Sequence, residues 1–193
     1  MLKIFREYRT GQVHFVFDLD DTLADFTDSF CDFMHIHVMQ CPPQVVAYGN
    51  DYNLMKPFEH TGLTAVEALK MYEASGTMHL MKPTKHVEVY KRACKDYGTY
   101  TTILTARGWM EHPVEAVKAW ADHNKVPLPD AIKIVGLNES KADYVAGLKG
   151  DVVGVMDDNP KHLREFMENN PKDAVIYAAA RPWNVDAPSH CRV

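Results

Sequence analysis

Val13, Phe15 and Phe17 alternate with His14 and Val16, and the run then breaks into Asp18-Leu19-Asp20-Asp21-Thr22. Such alternation predicts a buried strand that delivers carboxylates at its C-terminal end. Four more short β-branched runs follow, at Tyr100–Leu104, Ala131–Val135, Val152–Met156 and Ala174–Ala178. Helical spacing separates them. Val87, Tyr90, Ala93, Cys94 and Tyr97 keep it over 84–97; Val114, Val117, Trp120 and Ala121 over 110–124; Leu163, Phe166 and Met167 over 160–169. Strands alternating with helices predict an α/β fold, a Rossmann-like three-layer parallel sheet.

One connection is too long. About 80 residues (18–99) separate the first two strands, where a crossover needs roughly a dozen. Two helical patterns, 24–39 and 64–74, flank a turn-rich centre holding Cys41-Pro42-Pro43 and Tyr48-Gly49-Asn50-Asp51-Tyr52-Asn53. This predicts a small helical cap (24–83) inserted after the first strand, over a core made of 1–23 and 84–193.

Composition narrows the chemistry. The 193 residues are 46% hydrophobic and 24% charged, as in an ordinary folded domain. A formal net charge of −5 gives no compositional support for binding a nucleic-acid backbone, so strong nucleic-acid binding is not expected. The four cysteines lack CxxC spacing, which suits a reduced compartment. The first seven residues carry charges where a signal peptide has an apolar run, and no stretch is apolar enough to span a membrane. A cytoplasmic protein is the expectation. His35 and His37 stand at alternate positions, but on a helix they point apart and no Cys–His set completes a zinc site. The ten methionines are scattered and suit core filling.

Four groups carry candidate chemistry. Asp18 and Asp20 end the first strand two residues apart, where like charges repel unless a cation or a proton joins them. Open α/β sheets bind ligands at these carboxyl ends. Asp and Thr also cap helices, so capping explains this stretch alone equally well. Asp157-Asp158 again follows an apolar run, and two such clusters can converge on one hard cation such as Mg²⁺. Asn159-Pro160 beside them is a helix start. Thr105 closes the second strand, where its hydroxyl and the next backbone N–H, that of Ala106, can hold a phosphate oxygen; a plain turn serves as well. Lys141, after the third strand, is either a phosphate-neutralising point charge or one more solvated lysine.

Taken in order, DxDxT, a strand-end Thr, a Lys and a strand-end Asp-Asp resemble the four motifs of the haloacid dehalogenase superfamily, in its phosphatase form. The resemblance spans nearly the whole chain. It implies that Asp18 is a nucleophile forming an aspartyl-phosphate and that Asp20 is the general acid and base. It further implies that Asp18, the Asp20 carbonyl and Asp158 hold Mg²⁺ with support from Asp157. Thr105, Ala106 and Lys141 would then bind the phosphoryl group.

Within that superfamily, Asp18 through Phe26 with Phe30, and Tyr72-Glu73-Ala74 through Lys82-Pro83, are similar to the 5′(3′)-deoxyribonucleotidases. That likeness implies a small phosphorylated substrate, a nucleotide, whose base stacks on Phe26 and Tyr52, with Arg107 as a further substrate contact; it leaves room for a homodimer. Asp21 stands where those enzymes often have Gly, Thr22 where some have Val, and Thr77-Met78-His79 where an aromatic cluster is expected. Leu104-Thr105-Ala106-Arg107-Gly108-Trp109 and Pro127-Leu128 look more like the 3′-phosphatase module of phage polynucleotide kinases. A polynucleotide 3′-phosphatase and a non-catalytic module holding a phosphorylated ligand are therefore the rival readings. Arg181-Pro182-Trp183-Asn184 is also similar to tails of this group, and a surface turn with one buried Trp accounts for it too.

Overall fold

The computed structural model describes residues 12–46, 48, 53–169 and 171–193. The five predicted runs form strands: β1 (Val13–Phe17), β2 (Thr99–Thr105), β3 (Ala131–Ile134), β4 (Asp151–Asp157) and β5 (Val175–Ala178). A two-residue strand, β6 (Cys191–Arg192), joins them; it is too short to leave a pattern in the sequence. The sheet order is β3-β2-β1-β4-β5-β6, and every pairing is parallel.

Alternation along β1 sorts its side chains between two apolar layers. Phe15 and Phe17 face one layer, with Val87 and Tyr90 of α3 (Val87–Lys95) and Val117 and Trp120 of α4 (Pro113–His123). Val16 faces the other, with Ala142 and Val145 of α5 (Lys141–Ala146) and Leu163 and Phe166 of α6 (Pro160–Asn169). Helices thus cover both faces, as continuous apolar strands require. Gly154 in β4 permits a close approach: a Cβ there would lie 2.8 Å from the Phe15 ring, beside the register shift between His14 and Phe15.

Between β1 and β2 the chain forms α1 (Phe26–Phe33), which widens into a π-helical turn over Met34–Val38, and later α2 (Ala65–Ala74). The two ends of this excursion are stitched together. Ala24 bridges Pro83, Asp25 N donates to the Lys82 carbonyl (2.9 Å), and Thr84 N donates to that of Leu23 (2.8 Å). Thr64 and Glu67 form a reciprocal capping box at the start of α2. Phe30, Phe58 and Tyr72 are fully buried between the helices. His35 is buried against Phe58 while His37 is exposed, so the two share no face. Among the described residues no helix is long and apolar enough to cross a membrane.

Candidate active site

The chain runs from β1 outward to β2 and β3, then returns to the other side of β1 for β4. The carboxyl ends of β1 and β4 therefore flank the point where strand order reverses, the place where open α/β sheets hold ligands. Register fixes what meets there. Phe17 pairs with Met156, and Asp18 N donates to the Met156 carbonyl (2.8 Å), so Asp18 and Asp157 come level. Ligand oxygens of Asp18, Asp157 and Asp158, all buried, lie within 4.8 Å of one another.

Lys141 opens α5 and is 2% exposed, its Nζ 2.5 Å from Asp18 Oδ1 and 2.8 Å from Asp157 Oδ2. Burial pulls its pKa down, but the charges of Asp157 and Asp18 outweigh that and raise it. Asp157 is lowered: burial works upward, and Lys141 and His162 override it. His162 Nδ1 lies 3.4 Å from Asp157 Oδ2, within ion-pair reach but off the line of a hydrogen bond. Burial pushes Asp18 up to about 7 against the pull of Lys141, with Asp157 and Asp20 adding to the rise. Asp158 is raised well above the usual range by burial and by Asp21, Asp157 and Asp18. Three carboxyl groups face one ammonium in a buried site, and the rise at Asp18 and Asp158 shows how poorly their full ionisation is compensated without a further cation. A divalent cation with hard oxygen ligands fits that donor set and that charge.

Asp20 pairs with Arg107. Its carboxylate takes a forked pair of bonds from Arg107, Nε to Oδ2 at 2.9 Å and one terminal nitrogen to Oδ1 at 2.5 Å; Thr105 Oγ1 adds a third, to Oδ2, at 3.2 Å. Arg107 is fully buried. Expected as a substrate contact, it bonds Asp20 through Nε and one terminal nitrogen, and its other terminal nitrogen has no partner among the described residues. The Thr105 hydroxyl is likewise turned to Asp20. Gly108 lets this loop lie against its neighbour, since a Cβ there would sit 2.9 Å from Gly136 Cα and from the Val135 carbonyl.

Asp21 caps α1 from outside it, although the residue at the helix's N-cap is Asp25, whose side chain makes no capping bond. The Asp21 φ of +58° is a left-handed conformation, which explains why glycine would also suit the position. Its carboxylate accepts from Thr27 N (2.9 Å) and from the Thr27 hydroxyl, closing the first turn of α1. Capping therefore accounts for Asp21 and leaves Asp18 and Asp20 for other work. Burial holds Asp21 up at about 7.

A cleft of about 190 Å³ opens over the carboxylates, lined by Asp18, Asp20, Ala106, Lys141, Asp157 and Asp158 at its floor. Phe26, Leu54 and Leu69 from the excursion, with Trp109 and Leu137, form an apolar wall. Phe26 also stacks on Phe30 (6.1 Å between centroids) and meets Tyr72 edge-on, so it serves cleft and core together. Tyr52 lies outside the described residues. A larger cavity of about 490 Å³, lined by Asp25, Asp28, Asp32 and residues 43–46, lies apart from the four motif groups.

Sequence reasoning gave no site role to three contributors. His162 follows Asn159-Pro160 by one turn and faces Asp157. Trp183 and Asn184, noticed only as a motif, both bond to Asp158.

No family model and no curated protein matches the sequence. Solved structures do. A haloacid dehalogenase-superfamily hydrolase of subfamily IA from Geobacter sulfurreducens superposes with a TM-score of 0.58 at 10% identity, over 95% of this chain and 92% of that one. A predicted phosphatase from Clostridium acetobutylicum gives 0.57 at 19% identity, over 94% and 93%. A hydrolase of the same family from Deinococcus radiodurans, solved with phosphate and sodium bound, gives 0.55 at 11%, over 94% and 85%. Likeness at these identities establishes a shared fold: the chain adopts the α/β fold of haloacid dehalogenase-type hydrolases.

Proposed function

We propose that this protein is a divalent-metal-dependent phosphomonoesterase that works through an aspartyl-phosphate on Asp18. The observation that carries the reading is the buried triad of Asp18, Asp157 and Asp158 at the switch point of the sheet, with Lys141 bridging two of its members. Asp18 would attack phosphorus while Lys141 steadies the attacking carboxylate and the phosphoryl oxygens. Asp20, aimed by Arg107 and Thr105, would protonate the leaving oxygen and then take a proton from the water that cleaves the acyl-phosphate. The Ala106 backbone amide would add a donor to the phosphoryl group. Asp18, Asp158 and the Asp20 carbonyl would hold Mg²⁺, with Asp157 in support; bound there, the ion screens charge between nucleophile and phosphate.

The substrate would be a small phosphomonoester, and within that class a 5′- or 3′-(deoxy)nucleotide. The cleft volume of about 190 Å³ is below the range usual for whole drug-sized ligands, so the phosphoryl group enters and the rest meets the rim. There Phe26 and Trp109 are the aromatic lining residues, and base stacking on such rings is worth ~1–3 kcal/mol. Residues 24–83 would act as a cap, set on the stitched pair at 24 and 83. Four cysteines without CxxC spacing suit a reducing, cytoplasmic setting. Release of phosphate from a panel of nucleoside monophosphates, p-nitrophenyl phosphate and a 3′-phosphorylated oligonucleotide, with chelator and with Mg²⁺, tests the reading. Metal-dependent turnover with nucleotides ahead of the oligonucleotide is expected. Preference for the oligonucleotide would favour the polynucleotide phosphatase, and turnover indifferent to chelator would sink the metal-dependent reading.

A further inference from the structure

Residues 181–184 lie far along the chain from both acidic loops, yet each of the three polar members of this turn reaches one of them. Arg181 Nε donates to the Asp21 carbonyl (2.7 Å), and its guanidinium lies 3.0 Å from Asp25 Oδ1. Trp183 Nε1 donates to Asp158 Oδ2 (2.9 Å). Asn184 Nδ2 donates to the carbonyls of Asp158 and Ala179, both at 2.7 Å. The turn is itself pinned by Arg192, which donates to the side-chain and main-chain oxygens of Asn184 (2.8 and 2.5 Å). Pro182 fixes its first helical position.

Asp158 is consequently held at three points. The indole takes Oδ2, the Thr22 hydroxyl takes Oδ1 at 3.3 Å, and Asn184 takes the main-chain oxygen. Two donors on opposite carboxylate oxygens fix the plane of the group. Each oxygen keeps a lone pair, and the group lies within the 4.8 Å cluster with Asp18 and Asp157. Tyr48 packs edge-on against the Trp183 ring (6.0 Å, 84°) and donates to the Leu54 carbonyl (3.1 Å), and Leu54 lines the cleft. The same indole therefore touches the metal-binding candidate on one side and the excursion on the other.

We infer that Trp183 is a positioning residue for the metal site: its indole N–H orients the Asp158 carboxylate and thereby sets divalent-cation affinity. The inference rests on the function proposed above. Partners of this kind, hydrogen-bonded to a ligating group, typically change metal affinity 10–100-fold when removed.

Trp183→Phe keeps an aromatic ring beside Tyr48 and Arg181 and removes the N–H donor together with part of the indole's bulk. Mg²⁺ binding to the metal-free protein is read by titration calorimetry, with Mn²⁺ resonance spectroscopy as a second probe. The expected result is a Kd raised about 10–100-fold, near-normal kcat once Mg²⁺ saturates, and an unfolding midpoint close to that of the unmodified protein. Thr22→Val, which removes the longer bond to Oδ1, should give a smaller loss of affinity and supplies the test if Trp183→Phe does not fold. Unchanged affinity in the folded variants would overturn the positioning role and leave the phosphatase reading standing. An affinity loss with equally depressed kcat at saturating metal would make Trp183 a merely structural residue. A protein that binds no divalent cation even unmodified would overturn both.

Discussion

Replacing Arg107 by Met removes a fully buried guanidinium from Asp20 while keeping most of its bulk. Asp20 then loses both forked bonds and keeps only Thr105 Oγ1 at 3.2 Å. Breaking a buried pair by deleting one partner costs roughly 3–5 kcal/mol. The Asp20 side chain is 24% exposed, so water recovers part of that, and about 2–3 kcal/mol is expected. For a chain of this size each kcal/mol moves the melting temperature by roughly 2–4 °C, so a drop of about 4–12 °C follows. Urea unfolding of Arg107→Met, Asp20→Asn and the double variant isolates the pair: a coupling energy of about 1–3 kcal/mol is expected between groups in direct contact. Arg107→Lys should recover less than half of the lost stability and turnover, because one ammonium cannot bond both oxygens at once. Coupling below about 0.5 kcal/mol, the size expected of independent sites, or full rescue by Lys, would refute the argument that this fork aims Asp20.

Two further outcomes follow from burial. Asp18 and Asp21 stand at about 7 in the folded protein against 3.8 ordinarily, both because burial disfavours the charged carboxylate. A raised carboxyl stabilises the fold fully below the unfolded value, and this contribution is lost as pH rises towards 7; Asp157, lowered, works the opposite way only at the acid end. Metal-free protein should therefore melt several degrees lower at pH 8 than at pH 5, with Mg²⁺ raising the pH 8 midpoint more; a flat or rising profile in chelator would contradict this. Phe26→Leu, which keeps apolar bulk beside Phe30 and Tyr72 but no ring, should weaken nucleotide binding by ~1–3 kcal/mol and leave p-nitrophenyl phosphate turnover nearly unchanged. Equal effects on both would assign the ring to the core alone.

The parts of the site that were legible in the sequence are those fixed by strand ends. An alternating run that stops at Asp18, and a β-branched run that stops at Asp157, place carboxylates at the carboxyl ends of two adjacent strands whatever the helices do, and parallel register brings them level. Lys141 was legible through the order of the four motifs, whereas its pairing with Asp18 and Asp157 was not, because α5, Lys141–Ala146, is too short to show periodicity. The left-handed turn at Asp21 was hidden because it needs no glycine once Thr27 binds the carboxylate. Arg107 and Trp183 find their partners 87 and 25 residues away, through contacts that no local pattern encodes. The excursion's two helices were legible; the π-helical widening at Met34–Val38 follows the same apolar spacing and was not separable from helix.

The claim that bears the most weight is that Asp18 becomes covalently phosphorylated. Rapid mixing of the Mg²⁺-loaded protein with a turned-over phosphomonoester, quenching into borohydride and peptide mass spectrometry reads it directly, because an acyl-phosphate is reduced to the alcohol at the carbon that carried it. The account predicts reduction at Asp18 alone, dependent on substrate and absent in Asp18→Asn, a variant that stays folded and inactive. Substrate-dependent turnover with no reduction at Asp18, or with reduction at another aspartate, would contradict it.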